Sequence, residues 1–486
     1  MRSRRWALAG TLTLTLALGA IGCAGRKPPS VPAAPLPVML GEVSSLILQG
    51  CYQCLEKAYE VGQARGARSQ AFEAAALLVL RSKELGLPAE EWLERARALA
   101  TADPSSPLYL EIVETIPPDR LSENREALFD ISRGRRARER LITWRDALRS
   151  GSGSDAFRAY LDVSLVCAFG TLIETEQSFS GSVDPVAMTP LIQYAIGICG
   201  PTHAERLAAL RAARAELADA DFALGLYALE DPLNPNPEEA LMRLESAARA
   251  FPRSPAIATR VGNLYRLWED WIPALAAYDA ALAVAPGHPE SMIGRAISLS
   301  HLERSEDAIS AATRLIDGGQ WLLGEAYYWR AWNQLRVGRY ELARADADRA
   351  RTLMANAAVL VLSGVIEWRL GRLETAERDF QGALAIDLGE CEATFDLGIV
   401  RDQRGKLPEA LAAFKQAGQC YDLSIALRRE AIAKILAGPG TDTLKARDTA
   451  RHRRVLEDLE ERRDEVARLI EAALTPDAQA PGGSRP

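Results

Sequence analysis

The chain has 486 residues and is poor in the side chains that most catalytic and nucleic-acid-binding sites need. It contains four histidines, and aromatic residues make up 6% of it. Its 58 Lys and Arg are outnumbered by 65 Asp and Glu, which gives a formal net charge of −7. Nucleic-acid-binding proteins carry a basic excess or a basic stripe, so we expect no nucleic acid as a partner. The sequence shows no glycine-rich phosphate loop and no nucleophile elbow, so we expect no catalytic residue, metal or cofactor.

What the chain has in excess is Ala and Leu, which dominate its 48% hydrophobic residues. Both residues are strong helix formers, so a mostly helical protein is expected. At roughly 100–200 residues per domain, the length fits about three domains or one elongated repeat array.

One long apolar run lies at the N-terminus. Residues Trp6–Gly22 follow three arginines and precede Cys23, an order that predicts a cleaved export signal over residues 1–22. The segment Ala20-Ile21-Gly22-Cys23 resembles the lipobox of bacterial lipoproteins, in which the cysteine is acylated, with palmitate among its acyl chains. The resemblance implies lipid attachment at Cys23. Because Ala24 rather than Asp follows, it also implies an outer-membrane protein facing the periplasm. The alternatives are an uncleaved anchor or plain secretion.

A proline-rich segment follows the signal. Five prolines fall between residues 28 and 37, and proline fixes φ and removes a backbone donor. Residues 23–39 therefore read as an extended tether, whose sixteen residues after Cys23 would reach roughly 50 Å from a lipid surface.

A repeat of 34 residues is the strongest internal signal. Two copies share a small residue, a turn glycine, an alanine, a phenylalanine and a second alanine: Gly364, Gly371, Ala376, Phe380 and Ala383 recur as Gly398, Gly405, Ala410, Phe414 and Ala417. Related copies contain Gly262, Ala274, Tyr278 and Ala281, or Ala331, Gly338, Ala343 and Ala347. Small residues allow helices to approach closely, and the aromatic residue fills the space between neighbouring units. The pattern spans residues 218–424 and predicts about six helix pairs.

This pattern resembles the tetratricopeptide repeat (TPR). The resemblance implies an all-α fold, an α-solenoid of TPR-type helix pairs with additional helical segments. It also implies a concave side lined by the first helix of each pair, where such repeats bind protein partners. The positions expected to face this groove are Asn263, Arg266, His301, Tyr328, Trp332, Arg336, Val361, Trp368, Arg369, Phe395 and Asp402. Aromatic residues interleaved with arginines suit a partner with acidic character.

The flanks are helical but less regular. The expected organisation is a signal at 1–22, a tether at 23–39, an N-terminal helical region of degenerate repeats at 40–217, the array at 218–424, capping helices at 425–474 and a disordered tail at 475–486. Apolar residues at three–four spacing between 456 and 473 favour either a capping helix with a solvated face or a short coiled-coil contact.

Six cysteines remain once Cys23 is set aside, in a compartment where disulfides persist. Cys391 and Cys420 open and close one antiparallel helix pair, which makes a bridge plausible. Cys167 and Cys199 form the next candidate pair. Cys51 and Cys54 are left, as a structural disulfide, two buried thiols or a redox C-x-x-C site.

These features favour a non-enzymatic, lipid-anchored interaction scaffold or adaptor for a periplasmic protein, acting in envelope assembly or secretion. The alternative is a periplasmic thiol–disulfide redox protein that uses Cys51 and Cys54. A purely architectural spacer remains a third reading.

Overall fold

A computed structural model describes residues 36–117, 131–169, 189–199, 202–230, 235–319, 321–438 and 440–474. Within these ranges all regular secondary structure is helical, so the expected all-α class is confirmed. The segments expected to be an export signal, the tether as far as residue 35 and a disordered tail from residue 475 lie outside the described residues, as does Cys23. No described helix combines the length and apolarity that crossing a membrane requires.

The described residues of the N-terminal region form nine helices. They are α1 (Leu36–Gln49), α2 (Tyr52–Ala64), α3 (Arg68–Leu85), α4 (Glu90–Ala98), α5 (Ser106–Thr115), α6 (Ile131–Ser150), α7 (Asp155–Phe169), α8 (Pro190–Cys199) and α9 (His203–Arg214). The buried helix α3 is the centre of this region, because α1, α2, α4 and α5 pack around it.

Six helix pairs follow. They are pair 1, α10 (Ala220–Glu230) and α11 (Pro237–Ala250); pair 2, α12 (Pro255–Leu267) and α13 (Trp271–Val284); pair 3, α14 (Pro289–His301) and α15 (Ser305–Asp317); pair 4, α16 (Leu323–Arg336) and α17 (Tyr340–Leu353); pair 5, α18 (Ala357–Arg369) and α19 (Leu373–Ile386); and pair 6, α20 (Cys391–Gln403) and α21 (Leu407–Ala437). The last helix is α22 (Asp442–Leu474). Consecutive helices pack against each other throughout, which is the stacked arrangement of a solenoid.

The small residues of the repeat are required by close helix contacts. A Cβ on Gly364 would lie 2.7 Å from the ring of Phe380, and one on Gly398 would lie 2.6 Å from the ring of Phe414. Real Cβ atoms do not approach other atoms so closely, so only glycine fits. The recognition of a TPR-type pattern is thereby confirmed at the level of the fold.

The turn inside each of pairs 2 to 6 uses one left-handed residue. Glycine fills this position in pairs 4, 5 and 6, with φ values of 78° at Gly338, 73° at Gly371 and 75° at Gly405. Pairs 2 and 3 instead have Glu269 and Glu303 there, both with φ 61°. A residue with a Cβ pays a conformational cost in this region, so these two glutamates are exceptions that need an explanation.

The N-terminal region and the start of the array share one hydrophobic core, which runs from Val43 to Trp268. Ser254 Oγ donates to the backbone oxygen of Leu85 at 2.6 Å, and the rings of Tyr52 and Phe251 meet edge to face. Pairs 3 to 6 have smaller clusters between neighbouring helices. The expected boundary at 217/218 thus falls in the turn between α9 and α10. The hydrophobic core continues across this turn from the N-terminal region into the array.

Helices α8 and α9 form a further hairpin that packs on pair 1. A Cβ on Gly197 would lie 2.4 Å from the Leu210 side chain, the same kind of close approach as in the repeats. The sequence pattern missed this hairpin, because the step from Gly197 to Gly225 is shorter than the 34-residue period.

Two expected boundaries differ from the structure. Helix α1 begins at Leu36, inside the expected tether, since proline is compatible with the first turn of a helix and Pro37 lies there. Helix α21 continues to Ala437 across the expected boundary at 424/425, because no helix breaker occurs before Gly438.

Candidate partner-binding groove

The first helices of the pairs lie on the inner side of the curved array. From pair 2 onward, each first helix contacts the first helix of the next pair, whereas the described second helices make no comparable contact with each other. Elements on the inside of a curve are closer together, so the first helices form the concave face. All eleven expected groove residues lie on first helices, between α12 and α20.

The centre of this face exposes a tryptophan and an arginine on α16. Trp332 has 37% of its surface exposed, and Arg336 lies one turn further along the same face. The Arg336 guanidinium donates to the backbone oxygen of Ser300 at 2.7 Å and lies 3.7 Å from the Glu303 carboxylate. The arginine is therefore held in place beside the exposed indole.

Aromatic rings continue from this centre toward pair 2. His301 stacks in parallel on Trp271, with ring centroids 3.9 Å apart, and lies 5.7 Å from Trp329. Trp329 meets Tyr328 edge to face. Desolvation of the imidazole lowers the pKa of His301, and burial raises the pKa of Tyr328. The sequence pattern missed Trp271 and Trp329, which lie outside the positions expected to face the groove.

On the other side, pair 5 contributes Trp368 and Arg369. The Trp368 indole is half-buried, and its Nε1 donates to Gln403 Oε1 at 2.8 Å. The Arg369 guanidinium is exposed and lies 4.9 Å from the indole centroid. Val361, on the same helix, is half-buried and packs into the pair 5 core.

One expected groove residue is not available to a partner, and a second has its side-chain oxygen engaged within the array. Phe395 is only 4% exposed, because it packs on Phe414 and is covered by Arg462 of α22, so its expected place in an open groove is wrong. The Asn263 Oδ1 accepts a hydrogen bond from the Tyr278 hydroxyl at 2.8 Å. The other positions remain at the surface to different degrees: exposed for Arg266, His301, Trp332, Arg336 and Arg369, and half-buried for Tyr328, Val361, Trp368 and Asp402.

A partly buried acidic residue lies where α22 meets pair 6. Burial is the main cause that raises the pKa of Asp396 to about 7, with the negative charge of Glu392 adding to it. Arg462 of α22 and Arg369 of pair 5 act in the opposite direction. This carboxyl group is thus close to half-protonated at neutral pH.

The six cysteines other than Cys23 lie close together in three pairs. The Cα–Cα distances are 4.9 Å for Cys51–Cys54, 5.6 Å for Cys167–Cys199 and 5.5 Å for Cys391–Cys420. These values lie within the usual disulfide range of roughly 4.4–6.8 Å. Cys51 caps the N-terminus of α2, where its sulfur accepts the backbone N–H of Cys54 at 3.0 Å.

A cavity of about 620 Å³ lies next to Cys51 and Cys54, at the seam between the N-terminal region and pair 1. Its floor contains Tyr52, Trp92 and Phe251, and its rim contains Glu56, Glu60, Glu90 and Glu91. Within the described ranges no group of His, Cys, Asp and Glu side chains has the arrangement of a metal site.

No family model and no curated protein matches the chain. Among solved structures, it is similar to YrrB, described as a TPR protein with an unusual peptide-binding site, at 19% identity over 36% of this chain and 91% of that one, with a TM-score of 0.32. It is also similar to PilW, a type IV pilus biogenesis factor, at 13% identity over 41% and 91%, with a TM-score of 0.38. A tetratricopeptide repeat protein from Parabacteroides merdae is 17% identical over 53% and 99%, with a TM-score of 0.38. The helix pairs of the chain itself define its class, an all-α TPR-type solenoid.

Proposed function

We propose that the protein is an interaction scaffold whose concave face binds an acidic segment of a protein partner. The observation that carries the proposal is Trp332, an indole 37% exposed in the middle of the first-helix face. Tryptophan and arginine are the residues that most often dominate binding energy at interfaces. Trp332 is flanked by Arg336 on its own helix, and Arg369 is exposed on the neighbouring pair.

The charge of this face indicates the chemistry of the partner. Arg266, Arg336 and Arg369 are exposed along it, although the chain as a whole carries a net negative charge. An aspartate- or glutamate-bearing segment with one large apolar side chain would pair with the arginines and cover the indole.

We further propose that Cys23 is acylated and that the array acts at the periplasmic face of the outer membrane, in envelope assembly or secretion. This part rests on the lipobox-like segment and the tether in the sequence. Mass spectrometry of the mature N-terminus tests it, since an unmodified Cys23 would defeat it. Cys23→Ser should release the protein from the membrane fraction.

Site-specific photocrosslinking in cells tests the groove. A photoreactive residue at position 332 should capture a partner, whereas one at Leu342 should not. Leu342 is a matched control, because it is 57% exposed but lies on the second helix of pair 4. Trp332→Ala should reduce recovery of the captured partner at least tenfold, as expected for the loss of a central interface tryptophan, and Leu342→Ala should leave it unchanged. Equal crosslinking at positions 332 and 342 would contradict the assignment of the groove.

A second function, thiol–disulfide exchange, is favoured by the position of Cys51 at the N-terminus of α2. Helix N-termini lower the pKa of a cysteine thiol and so increase the thiolate fraction. The purified protein would then catalyse insulin reduction, and Cys51→Ser would abolish the reaction. Absence of activity in the native protein removes this alternative.

A further inference from the structure

Helices α21 and α22 form a long antiparallel hairpin whose base belongs to pair 6. At the base, Tyr421 of α21 and Val466 of α22 share a buried apolar cluster with Phe395. Cys391 and Cys420 tie α20 to α21 beside it. The base is therefore an apolar and covalently braced part of the last pair.

The tip of the hairpin reaches the other end of the array. Thr441 Oγ1 donates to the Glu238 carboxylate at 2.6 Å, a contact with the first turn of α11 in pair 1. Leu444 packs against the core that includes pair 2. A helix of 33 residues is about 50 Å long, which is enough to cross from pair 6 past pairs 5, 4 and 3.

The contacts with pair 2 are mostly charged. Arg447, Arg451 and Arg454 lie at four- and three-residue steps on one face of α22. Arg451 lies 3.1 Å and Arg454 lies 3.3 Å from the carboxylate of Glu269, and Arg447 lies 3.4 Å from Asp270.

Trp268 completes the surface that receives these arginines. Its indole Nε1 donates to Asp448 Oδ1 at 3.2 Å, and the Arg447 guanidinium lies 4.5 Å from its ring centroid. Arg454 also donates to the backbone oxygen of Trp268 at 3.4 Å. Trp268, Glu269 and Asp270 thus form an acidic and aromatic docking surface for an arginine-bearing helix.

Glu269 has a backbone conformation that favours glycine. The equivalent turn position is glycine in pairs 4 to 6, yet Glu269 adopts the same left-handed conformation with φ 61°. Strain of this kind persists where the residue has another role. At this strained position, the Glu269 carboxylate forms ion pairs with Arg451 and Arg454 of α22.

We propose that the α21–α22 hairpin is a reversible clasp that closes the array between pair 6 and pair 2. The occupant of the docking surface is the chain's own segment from Lys445 to Arg454. The ion-paired side chains that meet there are partly exposed, so salt weakens the contact, whereas the apolar base persists. Release of the tip leaves the hairpin attached to pair 6 and lets the array extend, because each unit of a solenoid contacts only its neighbours. This inference concerns the fold and holds whether or not the groove binds a partner.

Fluorescence energy transfer in the full chain tests the clasp. Labels attached to Ala276→Cys in pair 2 and Ala433→Cys near the tip report the distance between them, with the native cysteines kept oxidised; both positions are exposed. Glu269→Gln and Glu269→Gly should each lengthen this distance by at least two helical turns, about 11 Å. Raising the salt from about 0.1 M to about 1 M should lengthen it in the parent protein, because the Debye length falls from about 10 Å to about 3 Å.

Glu303→Gly is the matched control. It makes the same backbone change at the equivalent turn of pair 3, where the side chain faces Arg336 and no residue of α22. The label distance should stay unchanged in this variant. Reversal of the charges, Glu269→Arg with Arg451→Glu and Arg454→Glu, should restore the closed distance. The proposal is overturned if both Glu269 variants keep the parent distance, or if salt has no effect on it.

Discussion

The ring of Tyr278 lies between Gly262 of its own helix pair and Gly294 of the next. A Cβ on Gly262 would lie 2.7 Å from this ring, and a Cβ on Gly294 would lie within 2.3 Å of it. One buried side chain thus sets the spacing both within pair 2 and between pairs 2 and 3. Neither Gly262 nor Gly294 can be replaced by alanine without displacing the Tyr278 ring.

Gly294→Ala should therefore lower the free energy of unfolding by roughly 1–3 kcal/mol, the usual cost of overpacking a tight core. Gly382→Ala is the control, because its nearest neighbour would be a Leu360 methyl at 3.4 Å and it lies inside helix α19. That change should raise stability by up to about 1 kcal/mol, since alanine is the better helix former. Urea unfolding followed by circular dichroism measures both values; equal effects would contradict the packing argument.

Arg81 should be the most sensitive charged residue of the N-terminal region. Its guanidinium is fully buried, lies 2.6 Å from both the Glu84 and Asp219 carboxylates, and stacks 3.7 Å from the Tyr194 ring centroid. Arg81→Met leaves two buried carboxylates without their cation, so we expect a loss of about 3–5 kcal/mol.

The matched test neutralises the carboxylates as well. Arg81→Met combined with Glu84→Gln and Asp219→Asn should recover part of the lost stability, since the uncompensated charges are gone. Thermal unfolding of the single and triple variants decides this. A triple variant less stable than Arg81→Met would show that the network acts through packing and hydrogen bonds rather than charge.

Asp396 should make stability depend on pH. Its pKa is about 7 in the folded protein against 3.8 for an ordinary aspartate, so the folded state holds the additional proton between these values. The free energy of unfolding should then fall as the pH rises from about 4 to about 8, by on the order of 3 kcal/mol. Asp396→Asn should be more stable than the parent at pH 8 and should flatten this dependence. Urea unfolding at pH 5 and pH 8 measures it, with exposed Asp348→Asn as the control; an unchanged slope in Asp396→Asn would refute the assignment.

The cysteine pair at the base of the hairpin should stabilise the last unit. Cys391 and Cys420 are 29 residues apart in sequence, and closing a loop of this size contributes about 3–4 kcal/mol in the chain-entropy model. Protein purified without reductant should resist alkylation at the three cysteine pairs until it is reduced. Cys391→Ser with Cys420→Ser should lower the melting temperature. Reductant should then lower the melting temperature of this double variant by less than it lowers that of the parent. Alkylation of Cys391 or Cys420 in the unreduced protein would contradict the pairing.

The repeat and its packing could be predicted from the sequence because they depend on local rules. A small residue such as Gly398 and an aromatic residue such as Phe414 recur at fixed spacing, and the structure puts them in contact. The positions on first helices follow from the same spacing. The α8–α9 hairpin was missed, although Gly197 and Leu210 make the same kind of close helix contact. Its glycine does not follow the 34-residue spacing of the repeat.

The burial of Phe395 could not be predicted, because it depends on α22, a helix far along the chain. Its position in the repeat indicated an open groove, but Arg462 covers the ring. The path of α22 is set by contacts such as Arg451 with Glu269, 182 residues apart, for which no local pattern gives a signal. A glutamate replaces the turn glycine in pairs 2 and 3, but only Glu269 of pair 2 contacts α22, so this substitution does not reveal the path of the helix.

The hairpin has a fixed length, and this restricts how the array can change in evolution. Solenoids ordinarily gain or lose a unit with little effect, since each unit touches only its neighbours. Here three pairs separate the docking surface on pair 2 from the base on pair 6. Packed helices lie roughly 8–10 Å apart, so an inserted pair would carry Glu269 out of reach of Arg451 and Arg454. The length of the C-terminal hairpin therefore fixes the number of repeats between pair 2 and pair 6.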